Sequence, residues 1–334
     1  MFSLNEAGEL SEARLEWSAP HPVTALDYIG ATGTFIVASE AGDYSHYDAL
    51  QNPTRPLFTG QLDAAGVVTV SGGVGESESV AIVSRDSSET GGVYWLDSEV
   101  GLDVTQFVQL PLAYATVQCP QTEHWVVVGG QTTFDPIYPD DVHVVNRDTG
   151  ASVVSTSGDV TSEVFDLRSV AVTTDCQYAL FGNRSLFSDT FGRLFLVDLR
   201  SGTPRLLDTM DTDEDISQVR YVASLNLFVV TSFESEQLST YVIENERLVR
   251  RSVSERQGLI SGLAILADSD GAHVVMTSIH ASQGSRIGTA YLNSDGTITP
   301  VTWRSLGEGG ENIPSMLSHS GWLPLTDGAL INGP

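Results

Sequence analysis

Six short β-rich runs recur along the chain, and their spacing limits its fold more than any other feature. GTFIVAS, SVAIVSR, HWVVVGG, YALFGN, NLFVVTS and AHVVMTS occupy residues 33–39, 79–85, 124–130, 178–183, 226–232 and 272–278. Their starts are 46, 45, 54, 48 and 46 residues apart, a period that signifies one supersecondary unit per repeat. Each run is followed by a second: GDYSHYDA, GGVYWLDS, DVHVVNRDTG, GRLFLVDLRSG, LSTYVIENE and GTAYLNSDG in turn. The runs are rich in β-branched and aromatic residues and are separated by turn signals such as Asp-Gly, Asn-Ser-Asp-Gly and Arg-Ser-Gly, as short antiparallel strands require. An inner strand such as GLAILAD (262–268) and an outer strand such as ITPVTWR (298–304) complete a four-stranded unit.

The ends of the chain continue the pattern. MFSLNEAGELSEARLEW (1–17) matches the third and fourth strands of a unit, and SMLSHSGWLPLTD (315–327) matches the first and second. The expected fold is therefore all-β: a single-domain, seven-bladed β-propeller of four-stranded antiparallel blades, its last blade closed by both termini. The units fall at about 23–60, 67–110, 114–158, 164–210, 216–253, 260–306, and 312–334 with 1–17. Pairing the termini in one blade removes sheet edges that an open array would expose.

The stretch VAVTTDCQYALFGN followed by GRLFLVDLRSGTPRLL, and the stretch DVHVVNRDTGASVV, resemble the YVTN-type repeat. In that repeat a strand, an Asp-Gly turn, a strand, a Val-Ile-Asp-like strand and a Thr-Gly turn make one blade. The resemblance runs over nearly the whole chain and keeps the Asp-Gly turn at Asp270–Gly271. It implies a seven-bladed propeller of the YVTN and lactonase-like group, without transferring an activity, because fold and function separate in widely used folds.

Charge narrows the partners. The chain has 43 acidic and 16 basic residues, a formal net charge of −27, and every basic residue is an arginine. Nucleic acid is excluded as a partner, since a phosphate backbone needs a basic stripe and the arginines are scattered apart from Arg247, Arg250, Arg251 and Arg256. A saline habitat, or a GC-rich genome with ordinary solubility, accounts equally for the acidic bias. The 41% hydrophobic content supplies a core, and no apolar run is long enough for a membrane span.

In a propeller the connections between second and third strands, and those between blades, share one face, here termed the connection face. The turns from first to second and from third to fourth strand share the other, the turn face. Long second-to-third connections (QTTFDPIYPDD, RSLFSDTF and IHASQGSRI) place candidate ligand-binding residues on the connection face. These are Phe134, Asp135, Tyr138, Asp140 and Asp141, then Arg184, Phe187 and Asp189, then His280 and Arg286. Their carboxylates suit a cation or acid–base work, and their arginines suit an anionic group. The run MDTDEDIS (210–217) makes calcium the one candidate cofactor, with Asp211, Asp213 and Asp215 supplying part of an oxygen shell. It lacks the glycine and distal glutamate of an EF-hand loop. The seven histidines show no metal-ligand spacing, and no Gly-x-Ser-x-Gly elbow occurs. The catalytic set is thus unknown from sequence, and the tryptophans read as fillers between blades.

Cys119 and Cys176 both precede the second strand of neighbouring units, in turns on the same face, which favours a disulfide between them. A disulfide implies an oxidising compartment, so the protein is expected to be exported, whether periplasmic, extracellular or at the cell surface. The first ten residues contain neither a basic nor an apolar signal region, so any leader is expected to be absent from this numbering. Free cysteines would instead indicate the cytoplasm. The leading functional expectation is a non-catalytic binding or assembly module that recognises a protein or small-molecule partner through the connection face. The alternative is a lactonase-like hydrolase with its active site in the central funnel.

Overall fold

The computed structural model describes residues 20–305, apart from 22, 30–31, 49–51, 74–78, 87–89, 98–101, 111, 121, 130–141, 156–165, 185–191, 213–214, 233–236, 256–259, 268–269 and 281–283. The chain is an all-β propeller of four-stranded antiparallel sheets, each following sequence order. Blade 1 comprises β1 (Ala25–Ile29), β2 (Thr34–Ala38), β3 (Asp43–Asp48) and β4 (Asn52–Gln61). Blade 2 comprises β5 (Val67–Gly72), β6 (Ser79–Ser84), β7 (Gly92–Asp97) and β8 (Asp103–Gln109). Blade 3 has β9 (Ala113–Gln118), β10 (His124–Gly129), β11 (Val142–Asn146) and β12 (Ser152–Ser155). Blade 4 has β13 (Asp166–Val172), β14 (Tyr178–Arg184), β15 (Arg193–Asp198) and β16 (Arg205–Asp211). Blade 5 has β17 (Ile216–Val222), β18 (Leu227–Ser232), β19 (Leu238–Glu244) and β20 (Arg247–Val253). Blade 6 has β21 (Ile260–Ala267), β22 (Gly271–His280), β23 (Gly284–Asn293) and β24 (Thr302–Ser305).

Among the described residues there are six blades, not the seven expected from the sequence. Residues 1–17 and 312–334, assigned to a seventh blade, lie outside the described residues. The six internal units rested on a period, which reflects a repeated packing requirement. The seventh rested on two short terminal runs, and apolar alternation beside a turn residue is too common to identify a strand pair by itself.

The first strand of each blade is innermost and packs on that of the next, from β1 against β5 through to β17 against β21. Second strands are covered on both sides, and β2, β6 and β18 are buried at every position. Such strands read as continuous apolar runs because neither face meets water. Alternate residues serve opposite seams: Val80 and Ile82 pack towards blade 1, whereas Ala81 and Val83 join Trp95, Trp125 and Val127 between blades 2 and 3. There the two indoles meet edge to face with centroids 6.3 Å apart, the filler role expected for tryptophan. Outer strands such as β8 and β16 have no fully buried position, in keeping with their place at the rim.

Polar ties cross each described seam. The Tyr44 hydroxyl donates to the Leu102 carbonyl at 2.9 Å between blades 1 and 2, and the Thr240 hydroxyl donates to the Gly296 carbonyl at 2.7 Å between blades 5 and 6. On the turn face, Arg147 of blade 3 donates to Ser79 Oγ of blade 2. Cys119 and Cys176 lie at disulfide distance between blades 3 and 4, with a Cα–Cα separation of 5.3 Å. Arg200 of blade 4 pairs at 2.6 Å with Glu246 of blade 5. The same Arg200 and Arg205 hold Asp198, which is 5% exposed, at 2.8 and 3.0 Å. Hydrogen bonding from Arg200 keeps the Asp198 carboxyl well below the usual carboxylate range.

Candidate functional site

The connection face is built by the starts of the first strands and the ends of the second. In blades 2 to 6 the first strand carries one extra residue against its partner at this end. The register passes from Val67 to Thr69, from Ala113 to Ala115, from Leu167 to Ser169, from Ile216 to Gln218 and from Ile260 to Gly262. The residues left out of the pairing are Val68, Tyr114, Arg168, Ser217 and Ser261. Among its described pairs, blade 1 has no such shift. A bulge of this kind increases local twist and redirects one side chain, so each of these blades sets one residue apart near the rim of the inner strands.

Two bulged residues and one connection residue meet there. Tyr114 of blade 3 is 6% exposed. The Arg168 guanidinium of blade 4 lies over its ring at 4.8 Å from the centroid, and that of Arg85, just after β6 in blade 2, lies over it at 5.1 Å. The Tyr114 carbonyl is held by the Thr69 hydroxyl at 2.7 Å, and the Arg85 amide donates to the Gly66 carbonyl at 2.9 Å. Both anchors fix backbone, so the side chains stack on a rigid frame. Cation–π contact contributes about 0.5–2 kcal/mol per pair according to its desolvation. It is set here against repulsion between two like charges closer than about one Debye length, near 10 Å at 0.1 M salt. Among the described residues, Arg85 meets no carboxylate and the Tyr114 hydroxyl makes no hydrogen bond.

The residues singled out from sequence are distributed differently. Phe134, Asp135, Tyr138, Asp140, Asp141, Phe187 and Asp189 lie outside the described residues. Arg184 ends β14 and His280 ends β22, both at the connection face. The Arg286 guanidinium lies over the Trp303 ring, 4.7 Å from its centroid, within its own blade. Asp211 ends β16 and pairs with Arg193 at 2.5 Å, Asp215 precedes β17, and Asp213 lies outside the described residues. Among the described residues no group of three or more His, Cys, Asp or Glu could hold a metal ion. Histidines are dispersed: His46 Nε2 lies 2.7 Å from Thr34 Oγ1, where burial lowers its pKa, and the His273 ring packs edge-on against Tyr291.

Sequence reasoning missed Arg85, Tyr114 and Arg168. They belong to three units and sit at non-equivalent positions of the repeat, and the bulges that bring two of them together are a property of strand pairing. Two arginines each close to a strand end were the available signal.

No family model matches the chain, and neither does any curated protein. Among solved structures it is similar to the Cps50 (Swd1) β-propeller domain of Myceliophteria thermophila, with 11% identity and a TM-score of 0.63 over 84% of this chain and 86% of that one. It is also similar to a chain of the mitotic checkpoint complex, with 12% identity and a TM-score of 0.60 over 90% of this chain and 79% of that one. These neighbours are propellers of the WD40 type, and the likeness is one of fold. The expected membership of the YVTN-type group is thereby corrected. Strand–turn–strand units with a buried second strand follow from blade geometry in either repeat class, so the residues quoted for the resemblance do not separate the two. The lactonase-like alternative had that resemblance as its only support. No helix among the described residues is long and apolar enough to cross a membrane.

Proposed function

We propose that the chain is a non-catalytic binding or assembly module, exported from the cytoplasm, that engages a protein partner on its connection face. The observation that carries this reading is a cluster of recognition-type side chains on the connection face. Inter-blade ties occur on both faces, at Arg147–Ser79, Cys119–Cys176 and Arg200–Glu246 on the turn face and at Thr69–Tyr114 on the connection face. The connection face presents the Arg85–Tyr114–Arg168 stack, drawn from three blades, on a frame fixed from below. Recognition residues concentrate on connections carried by such rigid scaffolds. The neighbours support the reading: one of them is a chain of a structure named as a complex. The cysteine pair supports export, because disulfides persist in oxidising compartments.

Photo-crosslinking from each face tests the proposal. A benzophenone-bearing residue at exposed Ala65, in the connection leading into β5, is expected to give one discrete protein adduct in the native compartment. The same group at exposed Ser201, in the third-to-fourth turn of blade 4, is expected to give none. Equal labelling from both positions, or no adduct from Ala65, would overturn it.

A further inference from the structure

We infer that Arg85, Tyr114 and Arg168 form an oxyanion-binding site whose occupant is a carboxylate of an acidic segment on the partner protein. The inference rests on the partner-binding reading above and names the chemistry of its anchor. Two guanidinium groups lie over one ring in a chain of net charge −27. Such a concentration of positive charge does not follow from composition, since the sixteen arginines are spread over 334 residues. The stack also ties three blades together, yet among the described residues the Arg85 guanidinium touches the tyrosine ring and meets no carboxylate.

The chemistry of the three groups converges on one kind of ligand. Arg85 offers planar N–H donors that match a carboxylate in a bidentate fashion. The Tyr114 hydroxyl, without a described partner, is a further donor on the same aromatic ring. Arg168, the bulged residue of β13, stacks on the same ring from the next blade and so fixes its position. A singly charged carboxylate satisfies these donors with less repulsion from the acidic surroundings than a doubly charged phosphate. A peptide side chain, presented on a partner that docks across the face, also gains from the effective concentration that docking provides.

Calorimetric titration of the whole protein tests this without knowledge of the partner. The probes are a capped peptide of four glutamates, its all-glutamine analogue and inorganic phosphate. The glutamate peptide is expected to bind with one site per chain and the glutamine peptide not to bind. Arg85→Gln is expected to weaken the glutamate peptide about tenfold or more, as loss of a charged hydrogen bond implies. Tyr114→Phe, which keeps the ring and the stacking, is expected to weaken it several-fold. Cooperative melting of both variants within a few degrees of the parent separates loss of binding from loss of fold. Binding that is indifferent to both variants overturns the inference, as does phosphate binding at this site with no binding of the glutamate peptide. Failure of these titrations alongside a discrete adduct from position 65 would remove the carboxylate site and leave the partner-binding reading standing. Absence of the adduct would overturn the partner-binding reading and, with it, the assignment of the bound carboxylate to a partner protein.

Discussion

At position 176 the backbone adopts φ 52°, in the left-handed region. The corresponding turns of blades 1 and 5 place Gly33 at φ 69° and Asn226 at φ 51° there, the residue types that accept this conformation most readily. Cys176 is thus a turn residue serving a second purpose, since its thiol meets that of Cys119 across the blade 3–4 seam. Two effects can be separated by mutation. Cys119→Ser with Cys176→Ser should lower stability by about 4 kcal/mol on the chain-entropy view of a cross-link spanning 57 residues. Cys119→Ser with Cys176→Gly should melt above the double serine variant, because glycine relieves a left-handed cost of about 1–2 kcal/mol. Thermal melts of the three proteins check both, and identical melting of the two double variants would refute the turn argument. This pairing was legible in the sequence because both cysteines precede the second strand of their units, so the period alone put them side by side. Arg85 and Arg168 were not legible: nothing local to either residue says that a bulge will turn Arg168 towards a ring one blade away.

Between elements, the seam of blades 4 and 5 is packed to contact at Gly182. Gly182 in the middle of β14 faces Ile216 of the next blade, and a Cβ built on it would fall 2.7 Å from the Ile216 Cβ. Gly182→Ala should therefore destabilise by about 1–3 kcal/mol, the usual cost of overpacking. Gly182→Ala with Ile216→Ala should recover part of that loss, since the two sites share one space. Denaturant unfolding of the single and double variants measures the coupling, and strictly additive effects would show that the seam relaxes elsewhere. The blades themselves were legible for a related reason. Each second strand must be apolar on both sides to fill two seams, so six runs such as SVAIVSR and NLFVVTS stand out without knowledge of the partner strands. The register shifts in five first strands left no such trace. They consist of one residue too many in a pairing, and a pairing is not written in either strand alone.

For the molecule as a whole, the number of blades was over-read and the charge was read directly. Terminal runs that alternate like strands were counted as a seventh unit, whereas six blades are described. The net charge of −27 needs no structure to be consequential. Like charges on a compact body repel, and raising NaCl from 0.1 to 1 M shortens the Debye length from about 10 Å to about 3 Å. The melting temperature is expected to rise by several degrees over that range, and by more than for a propeller of balanced charge. A flat or falling midpoint in a salt series would remove the saline-habitat explanation of the composition. The blade 3–4 cross-link has a different consequence on this scale, one of mechanics. A chain drawn out from its ends can lengthen only by the segments that are not looped. With the bridge between Cys119 and Cys176 formed, the 57 residues it spans stay shut under load after every blade has come apart. The fully drawn polypeptide then stops about 200 Å short of its covalent length, at about 3.5 Å per residue. A reductant gives that slack back in one step, at a tether length that identifies which two blades were stapled.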